Sequence, residues 1–93
     1  MKMILIGIFD RKAQTFISLE PTPNVNVSLR QLTENVNTKS DSPLSKWPGD
    51  FSLWELGEWD SETGMAQFRE NPDCQYEKKL VIECESLKTR ETN

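Results

Sequence analysis

Phe51–Trp59, FSLWELGEW, is the stretch on which the fold turns. Aromatic and aliphatic residues recur through it without a proline, which is the composition of a β-strand. Side chains alternate along a strand, so Phe51 and Leu53 point one way while Trp54 and Leu56 point the other. Both faces of this strand are therefore apolar. Asp60-Ser61-Glu62-Thr63-Gly64 follows as a turn: Gly64 can take the positive φ of a hairpin bulge, and Asp60 can accept hydrogen bonds from amides two residues on. Met65–Glu70 returns as the partner strand. Gly57, inside the strand, marks a bulge or a close contact with a helix.

Working outward, Met3–Asp10 is nearly all apolar and rich in Ile, as a strand buried on both faces would be. Gln14–Leu19 resumes β-forming residues after Asp10-Arg11-Lys12-Ala13, which predicts a first hairpin. Pro21 and Pro23 stop that strand, and Asn24 or Asn26 caps what comes next. From Val25 to Asn37 the apolar residues Val25, Leu29, Leu32 and Val36 are spaced four, three and four apart, one stripe of a helix. Arg30, Thr33, Glu34 and Asn37 take the opposite side. Thr38–Asp50 (TKSDSPLSKWPGD) reads as a loop with one helical turn near Leu44, and Trp47 is expected to pin it to the body. After the break at Asn71-Pro72-Asp73, Tyr76–Cys84 (YEKKLVIEC) offers a last strand centred on Leu80, Val81 and Ile82.

The expected fold is α+β: an antiparallel sheet of four to five strands from two hairpins, in the order ββαββ with a further C-terminal strand, and one amphipathic helix packed on one face. Residues 1–85 form a single domain and 86–93 a polar, frayed tail. One helix covers one face only. The other, to which Trp54, Leu56 and the first strand contribute, needs a second copy or another protein, and a homodimer is expected; the plain alternative is that the Trp47 loop and the C-terminal segment fold over it.

Composition narrows the chemistry. The chain has 93 residues, a net charge of −4 and no histidine. Histidine is the commonest general acid-base group and metal ligand, so serine-hydrolase triads and imidazole zinc sites are excluded. Cys74 and Cys84, ten positions apart with no export signal before them, read as free thiols of a reducing cytoplasm. The four glycines are scattered and none opens a helix, so no phosphate-binding loop is present. Glu55, Glu58, Asp60 and Glu62 cluster near the second hairpin, where the structural reading of solvated turn acids outweighs metal or acid-base work. Met1–Phe9 is too short to span a membrane. No catalytic residue, cofactor or metal is expected.

Nucleic acid requires cations for phosphates and flat π surfaces for bases. The acidic pI, near 4.8, argues against broad phosphate binding. The residues that answer the requirement are Arg11 and Lys12 at a hairpin tip near Phe16, Lys46 beside Trp47, and Lys78 with Lys79 after Tyr76. For each pair the plain alternative, a solvated charge next to a core aromatic, carries more weight.

Three segments together resemble a known family: GIFDRKAQTF (Gly7–Phe16), LRQLTENVN (Leu29–Asn37) and WPGDFSLWELGEWDSETG (Trp47–Gly64). They are similar to the small non-structural protein encoded by the fifth reading frame of gokushovirus-type microviruses, which are single-stranded DNA bacteriophages. The likeness spans Ile6 to Phe68. It departs in the tryptophans at 54 and 59, where the family often has Phe, and in the polar extension from Leu87. The resemblance implies a viral protein of the bacterial host cytoplasm, not a capsid component. It also implies a role described as DNA binding, or as taking part in single-stranded DNA synthesis and packaging. It brings no active-site motif with it. Two functions are therefore expected to compete: an accessory protein that binds single-stranded DNA or the phage replication proteins, and an acidic adaptor that docks on a phage or host replication factor without touching DNA. A metal-assisted nuclease using Glu55, Glu58 and Asp60 ranks behind both.

Overall fold

A computed structural model describes residues 1–88. The elements run β1 (Lys2–Asp10), β2 (Thr15–Phe16), β3 (Glu20–Thr22), α1 (Val25–Asn37), α2 (Pro43–Lys46), β4 (Phe51–Asp60), β5 (Ala66–Phe68) and β6 (Lys79–Glu83). Short 3₁₀ turns occupy Pro48–Asp50 and Cys84–Leu87. This is an α+β fold, an antiparallel sheet with one main helix, as the sequence predicts.

The six strands fill four positions. β1 and β4 pair along the centre, β2 and β3 share the outer side of β1, and β5 and β6 share the outer side of β4. Each outer position is thus one edge broken in two. On the β4 side the break is the excursion from Arg69 to Lys78, closed by a bridge between Glu70 and Tyr76. The last strand therefore pairs with β4 and lies beyond β5 along the same edge.

The strand count exceeds expectation because two local choices differ. Gln14–Leu19 does not form one strand: the Ser18 hydroxyl accepts the Ile8 N–H at 3.0 Å, and this side-chain bond interrupts the ladder. Pairing resumes at Glu20–Thr22, with Pro21 opposite Leu5. Pro21 was expected to stop the strand. It is admitted because β3 lies at the edge of the sheet, where a missing N–H deprives no neighbour.

α1 matches its expected bounds, with Asn24 as N-cap accepting from the Asn26 N–H at 2.8 Å. Its Leu32 and Val36 bury against Ile6, Phe51, Leu53 and Cys84, and Leu29, Leu44 and Leu87 close the margin. Burial of each large side chain here is worth about 1.5–3 kcal/mol. Below the helix start, buried Thr22 donates to the Asn24 carbonyl and accepts from Ser28, which ties β3 to α1. At the other end Asn37 donates to the Leu87 carbonyl at 2.9 Å. The tail expected from residue 86 is therefore folded as far as Lys88, because Leu87 completes the helix-side core. Its remainder, 89–93, lies outside the described residues.

The central register carries one bulge. Leu5 pairs with Gly57 and Ile6 with Glu55, so Leu56 is the extra residue. Gly57 is required for a different contact from the helix contact expected: a β-carbon there would sit 2.3 Å from the Gln67 carbonyl oxygen and 2.7 Å from Phe68 Cα. The close neighbour is the backbone of β5. Gly64 has φ +78°, as its turn demands.

Candidate nucleic-acid interface

The six candidate residues divide into two groups. Arg11, Lys12, Lys46 and Trp47 come together at one end, although the hairpin tip and the loop that bear them are far apart in sequence. The tip is shaped by Asp10, whose Oδ1 accepts the N–H groups of Lys12 and Ala13 at 2.9 and 3.3 Å. It is then fastened to the loop. The Arg11 N–H donates to the Asp50 carbonyl at 2.9 Å, and its guanidinium donates to the Gly49 carbonyl at 2.7 Å and pairs with Glu83. Arg11 is thus a strut whose charge is already matched.

Lys12, with its side chain in no ion pair among the described residues, lines an open groove with Asp10, Pro43, Trp47, Asp50 and Phe51. Lys46 Nζ lies 5.7 Å from the centre of the Trp47 ring and 3.6 Å from an Asp41 carboxylate oxygen. Trp47 does not pin its loop as expected: the residue is 57% exposed. Pro48, which is buried, and Leu44, packed on the core margin, do that instead. Leu44 packs against the core cluster, Pro48 is buried, and the indole is left outside.

Lys78 and Lys79 sit elsewhere. Lys78 Nζ lies 5.1 Å from the centre of the Trp54 ring, and the Trp54 Nε1 donates to the Ser52 hydroxyl at 2.8 Å. Lys79 is exposed and faces Glu55 across the β4–β6 ladder. Of the two residues proposed for a protein interface, Trp54 is half-buried and Leu56 is 6% exposed. Leu56 folds onto Gly7, where a β-carbon would lie 2.8 Å from its Cδ1. It is buried on the same side of the sheet as Trp54, because the bulge lays it over Gly7, which pairs with Trp54 and has no side chain.

The acidic cluster is neutralised locally. Glu55 pairs with Arg69 at 3.2 Å, Glu58 with Lys2 at 3.8 Å, and Glu62 with the terminal amine at 3.4 Å. Asp60 accepts the Glu62 N–H at 2.9 Å, and that backbone bond is the main reason its carboxyl is held below the ordinary value. Among the described residues no three His, Cys, Asp or Glu side chains gather as a metal site. Both cysteines are free, Cys74 exposed and Cys84 buried. No helix among the described residues is long and apolar enough to cross a membrane.

Sequence reasoning named Lys12 and Trp47 separately, without seeing that they line one groove. It also missed that the groove contains Asp10 and Asp50. No local signal could have shown either, since the register of β1 against β4 brings them together.

No curated protein and no solved structure matches the chain. The family described as Phage ORF5 protein matches over residues 3–84, beyond both ends of the likeness read from the motifs and across every strand of the sheet. With nearly the whole described fold covered, the chain belongs to the Phage ORF5 protein family.

Proposed function

We propose that this phage protein is a non-structural accessory factor that binds single-stranded DNA at the Trp47 end during synthesis and packaging of the genome. The setting, a gokushovirus-type microvirus in the cytoplasm of its bacterial host, comes from the resemblance in the motifs. The observation that carries the binding site is the exposure of Trp47. An indole left 57% exposed gains little from the chain's own core, while Pro48 and Leu44 hold the loop without it. Stacking a base on such a ring is worth about 1–3 kcal/mol, and Lys46 and Lys12 stand beside it for the flanking phosphates.

Asp10 and Asp50 in the same groove, and a net charge of −4, make the binding weak and strongly dependent on salt. The test is a titration of fluorescein-labelled oligothymidine at several salt concentrations. Trp47→Ala and Lys12→Glu are each expected to weaken binding about tenfold, in line with loss of about 1.4 kcal/mol. Absence of binding at the lowest salt would remove direct contact. The second reading, an acidic adaptor for a phage or host replication protein, is favoured by the same net charge. It gains if the protein recovers a replication protein from infected cells after nuclease treatment.

A further inference from the structure

We propose that the Trp47 groove reads the base it holds and prefers guanine, through the carboxylate of Asp50. The inference rests on the DNA contact proposed above and names what that contact selects. Trp47 opens and Asp50 ends one tight turn, in which the Asp50 N–H donates to the Trp47 carbonyl at 3.0 Å. Side chains three apart in a 3₁₀ turn stand over one another. The indole and the carboxylate accordingly line the same groove.

Asp50 is held in place and left without a partner. Its N–H is used within the turn, and its carbonyl accepts the Arg11 N–H at 2.9 Å. The residue is half-buried, yet its carboxylate makes no hydrogen bond or ion pair among the described residues. The neighbouring acids differ. Asp10, the other acid of the groove, accepts the Lys12 and Ala13 N–H groups, Asp41 pairs with Lys46, and Glu83 pairs with Arg11. A fixed, unpartnered acceptor therefore stands beside an exposed ring.

The chemistry of a stacked base then selects. A base lying on the indole turns its edge to the wall of the groove, and in a single strand the base-pairing edge is free. A carboxylate accepts hydrogen bonds and offers none. Guanine has two adjacent donors on that edge, N1–H and the 2-amino group, which the two oxygens of one carboxylate can meet together. Adenine and cytosine set an acceptor nitrogen beside their amino group, and thymine sets its single N3–H between two carbonyls, so each also turns an acceptor toward Asp50. Phosphate is repelled there and falls to Lys12 and Lys46. A guanidinium from a protein is the rival guest, since it too suits a ring with a carboxylate. Lys12, in the same groove and in no ion pair among the described residues, opposes it.

Fluorescence anisotropy on the full chain tests the proposal, with short labelled oligothymidines in which guanine, hypoxanthine, adenine or cytosine replaces the central thymine. Hypoxanthine is guanine without the 2-amino group, so this comparison removes one donor and needs no variant. The guanine strand is expected to bind about tenfold tighter than plain oligothymidine, and the hypoxanthine strand about threefold tighter or less. Asp50→Asn, checked for folding by circular dichroism, is expected to bring the guanine strand level with oligothymidine, which itself tightens as a negative charge leaves the groove. Trp47-dependent binding of oligothymidine with no gain from guanine would overturn this proposal and leave the DNA contact standing. A guanine gain that survives in Asp50→Asn would overturn it as well. Absence of binding by every strand at the lowest salt would remove both readings. An arginine-bearing peptide held more tightly than the guanine strand, and lost in Asp50→Asn, would give the groove to a protein partner instead.

Discussion

The two faces of the sheet are made by the same central strands and differ in what lies on them. On the helix side Ile6 and Leu53 meet Leu32 and Val36 of α1, and Phe51, Val36, Leu53 and Cys84 are 4% exposed or less. On the open side aromatic rings lean on one another: Phe9 against Phe16, Trp54 over Ser52 and beneath Lys78, Phe68 against Tyr76. The helix side achieves burial by adding a layer. The open side achieves part of it sideways, by side chains covering their neighbours, and leaves ring faces at the surface. The open side keeps a small buried centre of its own, Leu5 and Leu56, each 6% exposed, while the larger core lies under α1.

That division can be broken most directly by truncation. Leu53→Ala is expected to cost about 2–5 kcal/mol in urea denaturation, because it opens a cavity under α1. The matched Leu80→Ala, on the open side, should cost under about 1 kcal/mol in the same measurement. Equal losses would mean that the open face is as much a core as the other.

A smaller effect sharpens the boundary between β4 and its outer edge. Gly57→Ala would force the new methyl into the Gln67 carbonyl, so β5 must move away or detach. The expected loss is about 1–3 kcal/mol, with faster hydrogen exchange at Phe68 and Arg69 and no change at Leu53. Unaltered exchange at Phe68 would show that β5 accommodates the methyl and that the close approach has little consequence.

The smallest effect is chemical. Cys84 belongs to the helix-side core, and burial, reinforced by the Glu83 charge, pushes its thiol up to about 11 despite Arg11. Cys74 lies exposed in the excursion between β5 and β6. Iodoacetamide near neutral pH should therefore modify Cys74 in the folded protein and Cys84 only after unfolding. A folded-state value raised above the unfolded one stabilises fully below the latter, so this contribution declines as pH rises from about 9 towards about 11. Labelling of both thiols at one rate would place Cys84 outside the core.

How far residues alone could lead is visible element by element. α1 was legible to the residue, because spacings of four, three and four fix a helical stripe and Asn24 supplies a local cap. The turn at Asp60–Gly64 was legible because its chemistry is contained within five residues. The helical turn at Leu44 was legible for the same reason, whereas the position of Trp47 was not. Large aromatics are usually buried, but here Pro48 takes the buried position and the indole beside it is 57% exposed. Pro21 within a strand was unreadable because the rule against it depends on whether the strand is central or at an edge.

The sequence by itself determined the α+β class, the two central strands, the helix and its inward stripe, and the family. Each of these follows from periodicity, capping or motif identity, which act over a few residues. Tertiary structure alone decided that β5 and β6 share one side of β4, that Lys12 meets Trp47, that Arg11 is spent on Glu83, and that Leu56 is buried over Gly7. Those outcomes depend on a single register between β1 and β4 with one bulged residue, and register is set by the sum of packing on both faces at once, which no short segment encodes.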